Sequence, residues 1–249
     1  MYKISYRELI KSNIIDTILS TLFLIVPIID YIIGIRKIGL FGTIVVTVTI
    51  IILYLDTRGR IGKQSVDVSL QYGYKSKITY GGKEIPVIFT TLYSYSFVIS
   101  HSIIPKLIIV ISENDSPYGI FHELGHYINK DPLEVIITII IGISSISFAM
   151  LYYENLFMGV CIYITILLFL LYIKHHNEIE ADKFMLKFID CEDYKKFIYE
   201  TTGILYEQVK TPKTNFEKLK HKIIGILLGH VTIEYRYMMY EKCLNKSMK

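Results

Sequence analysis

The composition of the chain favours a membrane protein and excludes several other classes. The sequence has 249 residues, of which 52% are hydrophobic, and it contains no tryptophan. Its mean hydropathy of +0.41 is too high for an ordinary soluble domain. The formal net charge of +4 comes from 27 basic and 23 acidic residues, without the long basic run expected of a nucleic-acid-binding arm. We therefore expect a lipid bilayer as a partner and no nucleic acid.

Two apolar runs near the N-terminus predict a transmembrane hairpin over residues 1–56. The first, residues 14–33, has about 20 residues, which is the length that crosses a hydrocarbon core of roughly 30 Å. A turn that carries Arg36 and Lys37 leads to a second, shorter run over residues 40–55. We interpret the pair as two retained membrane helices.

Residues 57–132 differ from this hairpin and predict a small water-exposed domain. Val66, Val68 and Leu70 alternate with polar residues, as in a strand with one buried face. Gly81-Gly82 is placed as a hairpin turn, and residues 86–89 and 107–112 are typical of strands. We expect this part to contain a small sheet.

A second pair of apolar runs, residues 133–153 and 156–173, predicts another transmembrane hairpin over residues 133–174. Its connection contains Glu154 and Asn155 but no Lys or Arg. Basic residues lie at the opposite ends of the predicted spans: Lys3, Arg7, Lys11, Arg58, Arg60, Lys63 and Lys174. The positive-inside rule therefore places both termini and the polar domain in the cytoplasm, although Arg36 and Lys37 oppose this weakly.

The C-terminal part, residues 175–249, is charged and has a helical period. Its apolar stretch over residues 223–228 is too short to span a bilayer, so we expect it to return to the cytoplasmic domain. The three cysteines, Cys161, Cys191 and Cys243, are widely spaced and form no CxxC pair, so they predict neither a disulfide framework nor a thiolate zinc site.

The strongest chemical signal is an HExxH motif formed by residues 122–126. His122 and His126 lie four residues apart, so both imidazoles occupy one face of a helix and can bind one zinc ion together, with Glu123 beside it. Asp115 and Ser116 can cap the start of this helix, Pro117 suits its first turn, and residues 129–132 supply a stop.

A catalytic zinc ion keeps three protein ligands and one open position, so a third ligand is required. Glu178 is the best candidate, since it shares a helical face with Asp182 directly after the fourth apolar run, whereas Glu180 points elsewhere. The alternative is that these acids are a solvated helix start below the membrane. His175 and His176 compete as ligands but are better interpreted as structural, as are His101 and His221.

At these motifs the sequence resembles the integral-membrane gluzincin peptidases, which include the HtpX quality-control protease and the CAAX prenyl endopeptidases. Three segments carry the resemblance: residues 122–131 (HELGHYINKD), Glu178-x-x-Ala181-Asp182, and His230 with Arg236 six residues later. Val231 stands where that family usually has proline. Residues 95–97 and 107–112 are only loosely similar to its Asn-Ala-Phe segment and the following strand.

The resemblance implies an α+β membrane protein with about four transmembrane helices and a zincin-like domain with a small sheet. It also implies one Zn²⁺ per chain bound by His122, His126 and Glu178, an Asp182 carboxylate that orients a zinc-binding imidazole, and His230 as a stabiliser of the transition state. An ordinary packed histidine is an equal alternative for His230.

We therefore interpret the chain as a membrane-bound zinc metalloendopeptidase that acts on membrane or misfolded polypeptides. In this hypothesis Glu123 is the general base, and residues 107–112 form an edge strand that pairs with an extended substrate. The expected location is the cell membrane, with several spans and the active site facing the cytoplasm. The alternatives are a catalytically silent zinc-binding scaffold and a transporter or channel, the latter disfavoured because few charged residues lie within the spans.

Overall fold

The computed structural model describes residues 6–33, 38–93, 95–102 and 104–247. Lys3, Arg36 and Lys37, on which part of the predicted orientation depends, lie outside these residues. The described part is mostly helical, with one small sheet, as expected for an α+β membrane protein.

Four long helices form the apolar part of the fold. They are α1 (Tyr6–Ile33), α2 (Gly39–Gln71), α4 (Asp131–Ser147, continued by a π-helical turn at Phe148–Tyr152) and α5 (Leu156–Met185). Among the described residues, α2, α4 with its π turn, and α5 are long and apolar enough to cross a membrane. A shorter apolar helix at Ser20–Ile33 lies within α1. These helices support a membrane protein.

The four helices bury a common apolar core. Leu24 of α1 and Tyr54 of α2 are fully buried, together with Ile139 and Ile143 of α4 and Leu170 of α5. Gly142 permits a close helix crossing, because a Cβ atom there would lie 2.6 Å from the Leu24 side chain. The connection after the π turn contains Glu154 and Asn155 as predicted, and Asn155 caps α5 through its side chain.

The strand predicted around Val66, Val68 and Leu70 is wrong, since α2 continues as one helix to Gln71. The buried positions of this segment are Gly59, Gly62, Val66 and Ser69, which follow the helical spacing of three and four residues. Small residues occupy three of these four positions because the helix lies directly on the sheet. A Cβ atom at Gly62 would lie 1.9 Å from the Ser100 carbonyl oxygen.

The small sheet has the strand order β1-β2-β4-β3, with β1 at Gly73–Tyr80, β2 at Lys83–Thr90, β3 at Phe97–Ser100 and β4 at Leu107–Ser112. The predicted hairpin turn at Gly81-Gly82 is confirmed: both glycines have positive φ, and β1 and β2 pair antiparallel across it. The strand at residues 107–112 is also confirmed.

The prediction that residues 107–112 form an edge strand is wrong. β4 pairs in parallel with β2 on one side and antiparallel with β3 on the other. All of its residues after Leu107 are buried, as is typical of an interior strand. The edge strand on this side of the sheet is β3.

The remaining helices complete the polar domain: α3 (Gly119–Asn129), α6 (Cys191–Thr202), α7 (Asn215–Leu228) and α8 (Ile233–Ser247), with a 3₁₀ turn at Tyr206–Gln208. A core of Tyr194, Phe197 and Ile198 from α6 and Tyr237 from α8 joins two of them. Contrary to the sequence prediction, Cys191 and Cys243 form a disulfide that links α6 to α8. Their separation of 52 residues concealed this pairing.

Candidate metal centre

Helix α3 presents both histidines of the HExxH motif on one face. His122 and His126 are four residues apart, and their Nε2 atoms lie 3.1 Å from each other. The helix ends as predicted, because Lys130 adopts the left-handed conformation with φ of 60°. The predicted N-terminal cap is wrong: α3 begins at Gly119 after Tyr118 and has no side-chain cap. The Asp115 carboxylate instead accepts hydrogen bonds from the backbone N–H groups of Ser96 and Ser116.

Helix α5 continues without a break from its apolar run to the metal centre, where it crosses α3. The crossing is close because Gly125 faces Ala181, and a Cβ atom at Gly125 would lie only 2.9 Å from the Ala181 Cα atom. The small Ala181 side chain, which permits such close packing, is fully buried there. This contact brings Glu178, one turn earlier on α5, to the two histidines.

The donor atoms of the three predicted ligands form a compact triangle. The Glu178 carboxylate oxygens lie 3.7 Å from His122 Nε2 and 3.5 Å from His126 Nε2. In a tetrahedral zinc site with bonds of about 2.0–2.1 Å, donor atoms are about 3.3 Å apart. Two imidazole nitrogens 3.1 Å apart, with one oxygen of the Glu178 carboxylate at 3.7 Å from the first and the other oxygen at 3.5 Å from the second, therefore match both the ligand chemistry and the approximate size of a zinc site.

Glu123 lies beside this triangle and is buried. Its carboxylate and the donor nitrogens of His122 and His126 all lie within 4.8 Å of one another. Burial raises the pKa of Glu123, and the two neighbouring histidines oppose this in part. Burial alone lowers the pKa of His126, but hydrogen bonds to Asp131 and Glu178 dominate and raise it well above its ordinary value. The carboxylates of Asp131 and Glu178 therefore stabilise a positive charge on the His126 ring.

Asp182 contacts the His122 ring at Nδ1, the nitrogen that does not face the other donor atoms. Its Oδ1 lies 2.9 Å from His122 Nδ1, and neither atom has another hydrogen-bond partner in the described part of the chain. The other oxygen, Oδ2, accepts hydrogen bonds from Arg236 Nε at 2.8 Å and from the Tyr194 hydroxyl at 3.2 Å. Arg236 also reaches Glu178 Oε2 at 3.4 Å. One carboxylate thus connects a candidate zinc ligand to α6 and α8.

Asp131 holds His126 in the same way, and the sequence analysis missed this role. Its Oδ2 lies 2.6 Å from His126 Nδ1. The left-handed Lys130 turns the chain sharply between α3 and α4, so that the first residue of α4 faces back toward the zinc helix. The only sequence signal was an aspartate five residues after His126, which we had considered only as part of a helix stop and a motif match.

The structure brings His230 to the same centre. Its side chain is buried, with Nε2 3.3 Å from Glu178 Oε2 and Nδ1 3.1 Å from the Val231 carbonyl oxygen. Burial lowers the pKa of His230 despite the nearby Glu178 carboxylate. The segment that contains His230 is held against α5, because its carbonyl oxygen lies 3.1 Å from His175 Nδ1.

The other residues weighed as ligands have partners elsewhere. His175 contacts the His230 backbone, the His176 ring stacks on Tyr172, and His221 lies 3.4 Å from Glu234. Glu180 forms an exposed ion pair with Lys183 at 2.6 Å. These contacts are consistent with the structural roles that we expected for the histidines.

A cavity of about 210 Å³ opens onto the metal centre. It is lined by Glu123, by Phe97 and Val98 of the edge strand β3, and by His230. Further lining comes from Asp131 and Pro132, where α4 begins, and from Lys174 and Asn177, directly after the apolar run of α5. The cavity therefore lies where the apolar helices meet the polar domain.

Comparisons with known proteins give limited information. No family model matches the sequence, and no curated protein matches it. Among solved structures, the crystal structure of S. mikatae Ste24p matches with a TM-score of 0.45 and 12% sequence identity, over 92% of this chain and 64% of that chain. The present chain thus spans less than two thirds of the length of that structure. The candidate metal ligands are identified by the distances among the His122, His126 and Glu178 donor atoms.

Proposed function

We propose that this protein is a membrane-bound zinc metalloendopeptidase that hydrolyses peptide bonds of membrane or misfolded proteins. The observation that carries the proposal is the triangle of His122, His126 and Glu178 donor atoms with the buried Glu123 beside it, in a cavity at the end of a pair of apolar helices. A structural zinc site has four protein ligands, whereas three ligands next to a carboxylic acid are typical of a hydrolytic site.

His122, His126 and Glu178 are the residues that hold one Zn²⁺ in this proposal. When bound, the ion supplies Lewis acidity and lowers the pKa of a coordinated water toward about 7. Glu123 takes the proton of the attacking water and returns it to the leaving amine. Its raised pKa suits a group that must first accept and then donate a proton near neutral pH.

Asp182 and Asp131 each accept the Nδ1 proton of one zinc-binding imidazole, which leaves the Nε2 lone pair of each ring for the metal. His230 is proposed to donate a hydrogen bond from Nε2 to the oxyanion that develops on the scissile carbonyl. Both ring nitrogens face acceptors, the Val231 carbonyl oxygen at 3.1 Å from Nδ1 and the Glu178 carboxylate at 3.3 Å from Nε2, so this donation requires the imidazolium form of His230.

The edge strand β3 replaces β4 as the proposed partner of the substrate backbone. Phe97 and Val98 line the cavity, and within the described residues β3 pairs with β4 alone. An extended peptide that adds to this edge is held by main-chain hydrogen bonds, which capture a chain without reading much of its sequence. Such binding suits a peptidase with broad specificity.

The membrane orientation is proposed from the distribution of Lys and Arg, which places the metal centre in the cytoplasm. The Cys191–Cys243 disulfide opposes this orientation, since disulfides are rare where glutathione keeps thiols reduced. With a cytoplasmic domain, we expect both residues to be thiols in the cell and to react with a membrane-impermeant maleimide only after permeabilisation. An intact disulfide in cells that are lysed under thiol-trapping conditions would place the domain on the other side of the membrane.

The direct test of the function compares detergent-purified wild type, Glu123→Gln and Glu180→Gln for bound zinc and for cleavage of casein. We expect zinc in all three and cleavage in wild type and Glu180→Gln only, because Glu180 is exposed and paired with Lys183. Zinc in all three proteins without cleavage in any would favour the silent zinc-binding scaffold. Ion flux in liposomes without zinc or cleavage would favour a transporter.

A further inference from the structure

Helix α7 (Asn215–Leu228) carries an apolar face that no described part of the protein covers. The apolar stripe consists of Phe216, Leu219, Ile223 and Leu227, which recur every three or four residues and therefore lie on one side of the helix. Phe216 is 77% exposed and Leu227 is 59% exposed. These fractions resemble those of side chains on the candidate spans, such as Phe157 at 80%.

The opposite face of α7 packs against the protein. Gly225 is buried there, and a Cβ atom at this position would lie 2.5 Å from the His175 ring of α5. On the same side, His221 contacts Glu234 of α8 at 3.4 Å. The orientation of the helix is thus fixed by two contacts, and the apolar stripe faces away from both α5 and α8.

The end of α7 lies beside the end of an apolar membrane helix. Gly229 terminates α7 with φ of 62°, and a Cβ atom at this position would lie 3.7 Å from the side chains of Leu171 and Lys174. Leu171 belongs to the apolar run of α5, and Lys174 is the first charged residue after it. Nearby on α5, Leu168 and Phe169 are each 50% exposed, so the uncovered apolar surface of the span continues toward α7.

The charges around the stripe fit a lipid headgroup region. α7 contains three lysines, Lys218, Lys220 and Lys222, and its one acidic residue is Glu217. Glu217 is used locally, since its carboxylate accepts hydrogen bonds from the backbone N–H groups of Lys213 and Thr214 at the start of the helix. A helix of 14 residues is about 21 Å long and cannot span a bilayer, but an apolar stripe with flanking lysines is typical of a helix that lies in the membrane surface.

From these observations we propose that α7 lies in the plane of the bilayer surface, on the side of the metal centre. Phe216, Leu219, Ile223 and Leu227 insert between the acyl chains, and Lys220, which borders the stripe, contacts anionic phospholipid headgroups. The helix thereby extends the membrane contact of α5 beneath the polar domain. It also fixes the height above the bilayer of the adjoining segment, which enters the cavity with His230.

The test uses the full-length protein in which all three cysteines are replaced (Cys161→Ser, Cys191→Ser and Cys243→Ser), so that each introduced cysteine is the single thiol of the chain whether or not Cys191 and Cys243 are paired. Single cysteines at Leu219→Cys and Ile223→Cys on the stripe, and at Lys222→Cys as an exposed control, are labelled with an environment-sensitive fluorophore. Each protein is reconstituted into nanodiscs of phosphatidylcholine and phosphatidylglycerol. Bound zinc is measured in every variant to show that the fold is intact.

We expect nitroxide groups on the lipid acyl chains to quench the probes at positions 219 and 223, and aqueous iodide to quench the probe at 222. Quenching at 219 and 223 should weaken when phosphatidylglycerol is omitted, and this dependence should be lost with the triple change of Lys218, Lys220 and Lys222 to Gln. Iodide quenching at 219 and 223 as strong as at 222 would overturn the proposal. Shielding of these two probes from both quenchers would also overturn it, because a second protein surface would then cover the stripe. The result does not depend on peptidase activity.

Discussion

The two histidines proposed to bind zinc are held by carboxylates in different surroundings. His122 is held by Asp182, which is fully buried and is itself bonded to Arg236 and Tyr194 from two other helices. His126 is held by Asp131, which begins the next helix along the chain and pairs with no Lys or Arg in the described residues. Asp182 is therefore part of the packing of the polar domain, whereas Asp131 makes a local contact between α3 and α4.

Because of this difference, substitutions of Asp182 and Asp131 should distinguish the stability of the fold from the affinity for the metal. A support that neutralises a buried arginine affects both the stability of the fold and the affinity for the metal. A carboxylate that pairs only with the imidazole affects mainly the metal affinity and has a smaller effect on the stability of the fold. Substitutions of Asp182 and of Asp131 should therefore both lower the affinity for zinc, but they should differ in their effect on the free energy of unfolding.

The largest effect is expected for Asp182→Asn. It removes the carboxylate between Arg236 and His122, and breaking a buried charge pair costs about 3–5 kcal/mol of stability. Loss of a carboxylate that orients a metal-binding histidine lowers metal affinity about 10–100-fold. Unfolding of the zinc-free protein in detergent and a competitive zinc titration measure the two effects. Adding Arg236→Met should restore part of the stability but not the zinc affinity.

A smaller and more selective effect is expected for Asp131→Asn. Zinc affinity should again fall by about 10-fold or more, since the amide orients His126 less well. The zinc-free protein should lose less stability than with Asp182→Asn, because His126 keeps its contact with Glu178, whereas Asp182→Asn removes the closest partner of the buried Arg236. Glu134→Gln on the exposed side of the same helix is the matched control and should change neither property. Destabilisation of the zinc-free Asp131→Asn protein as large as that of Asp182→Asn would remove the distinction between the two supports.

The smallest effect is expected for Tyr194→Phe. Its hydroxyl group donates to Asp182 Oδ2 over 3.2 Å, and the ring is fully buried in the core between α6 and α8. Loss of one hydrogen bond to a carboxylate that keeps Arg236 should cost about 1–2 kcal/mol, with zinc affinity reduced less than in Asp131→Asn. Chemical denaturation with and without zinc measures both. A larger loss of zinc affinity here than in Asp131→Asn would show that Tyr194 orients the metal centre.

Local spacing explains which parts of the structure could be predicted from sequence. The four-residue separation of His122 and His126 determines that both imidazoles share one helical face, and the order of the later acidic motif brought Glu178 into consideration. The Gly81-Gly82 turn and the strand at residues 107–112 were likewise local features, and the structure confirms them. In each case the residues that decide the outcome are neighbours in the sequence.

The predictions that were wrong depend on contacts between residues that are distant in the sequence. The polar half of α2 looked like a strand because Val66, Val68 and Leu70 alternate, whereas its true contact face consists mainly of Gly59, Gly62 and Ser69, which carry no hydrophobic signal. β4 could not be distinguished from an edge strand until its partners β2 and β3 were known. The disulfide between Cys191 and Cys243 depends on how α6 packs on α8.

The sequence by itself thus predicted the kind of site, through a helix with two imidazoles and an acid on or beside one face, and the division into apolar and polar segments. Only the tertiary structure decided which side chains surround the two imidazoles. The close crossing at Gly125 and Ala181 brings Glu178 to the histidines, the left-handed Lys130 returns Asp131 to His126, and α8 places Arg236 against Asp182. These contacts join helices whose relative positions depend on packing throughout the chain, which no local pattern of residues encodes.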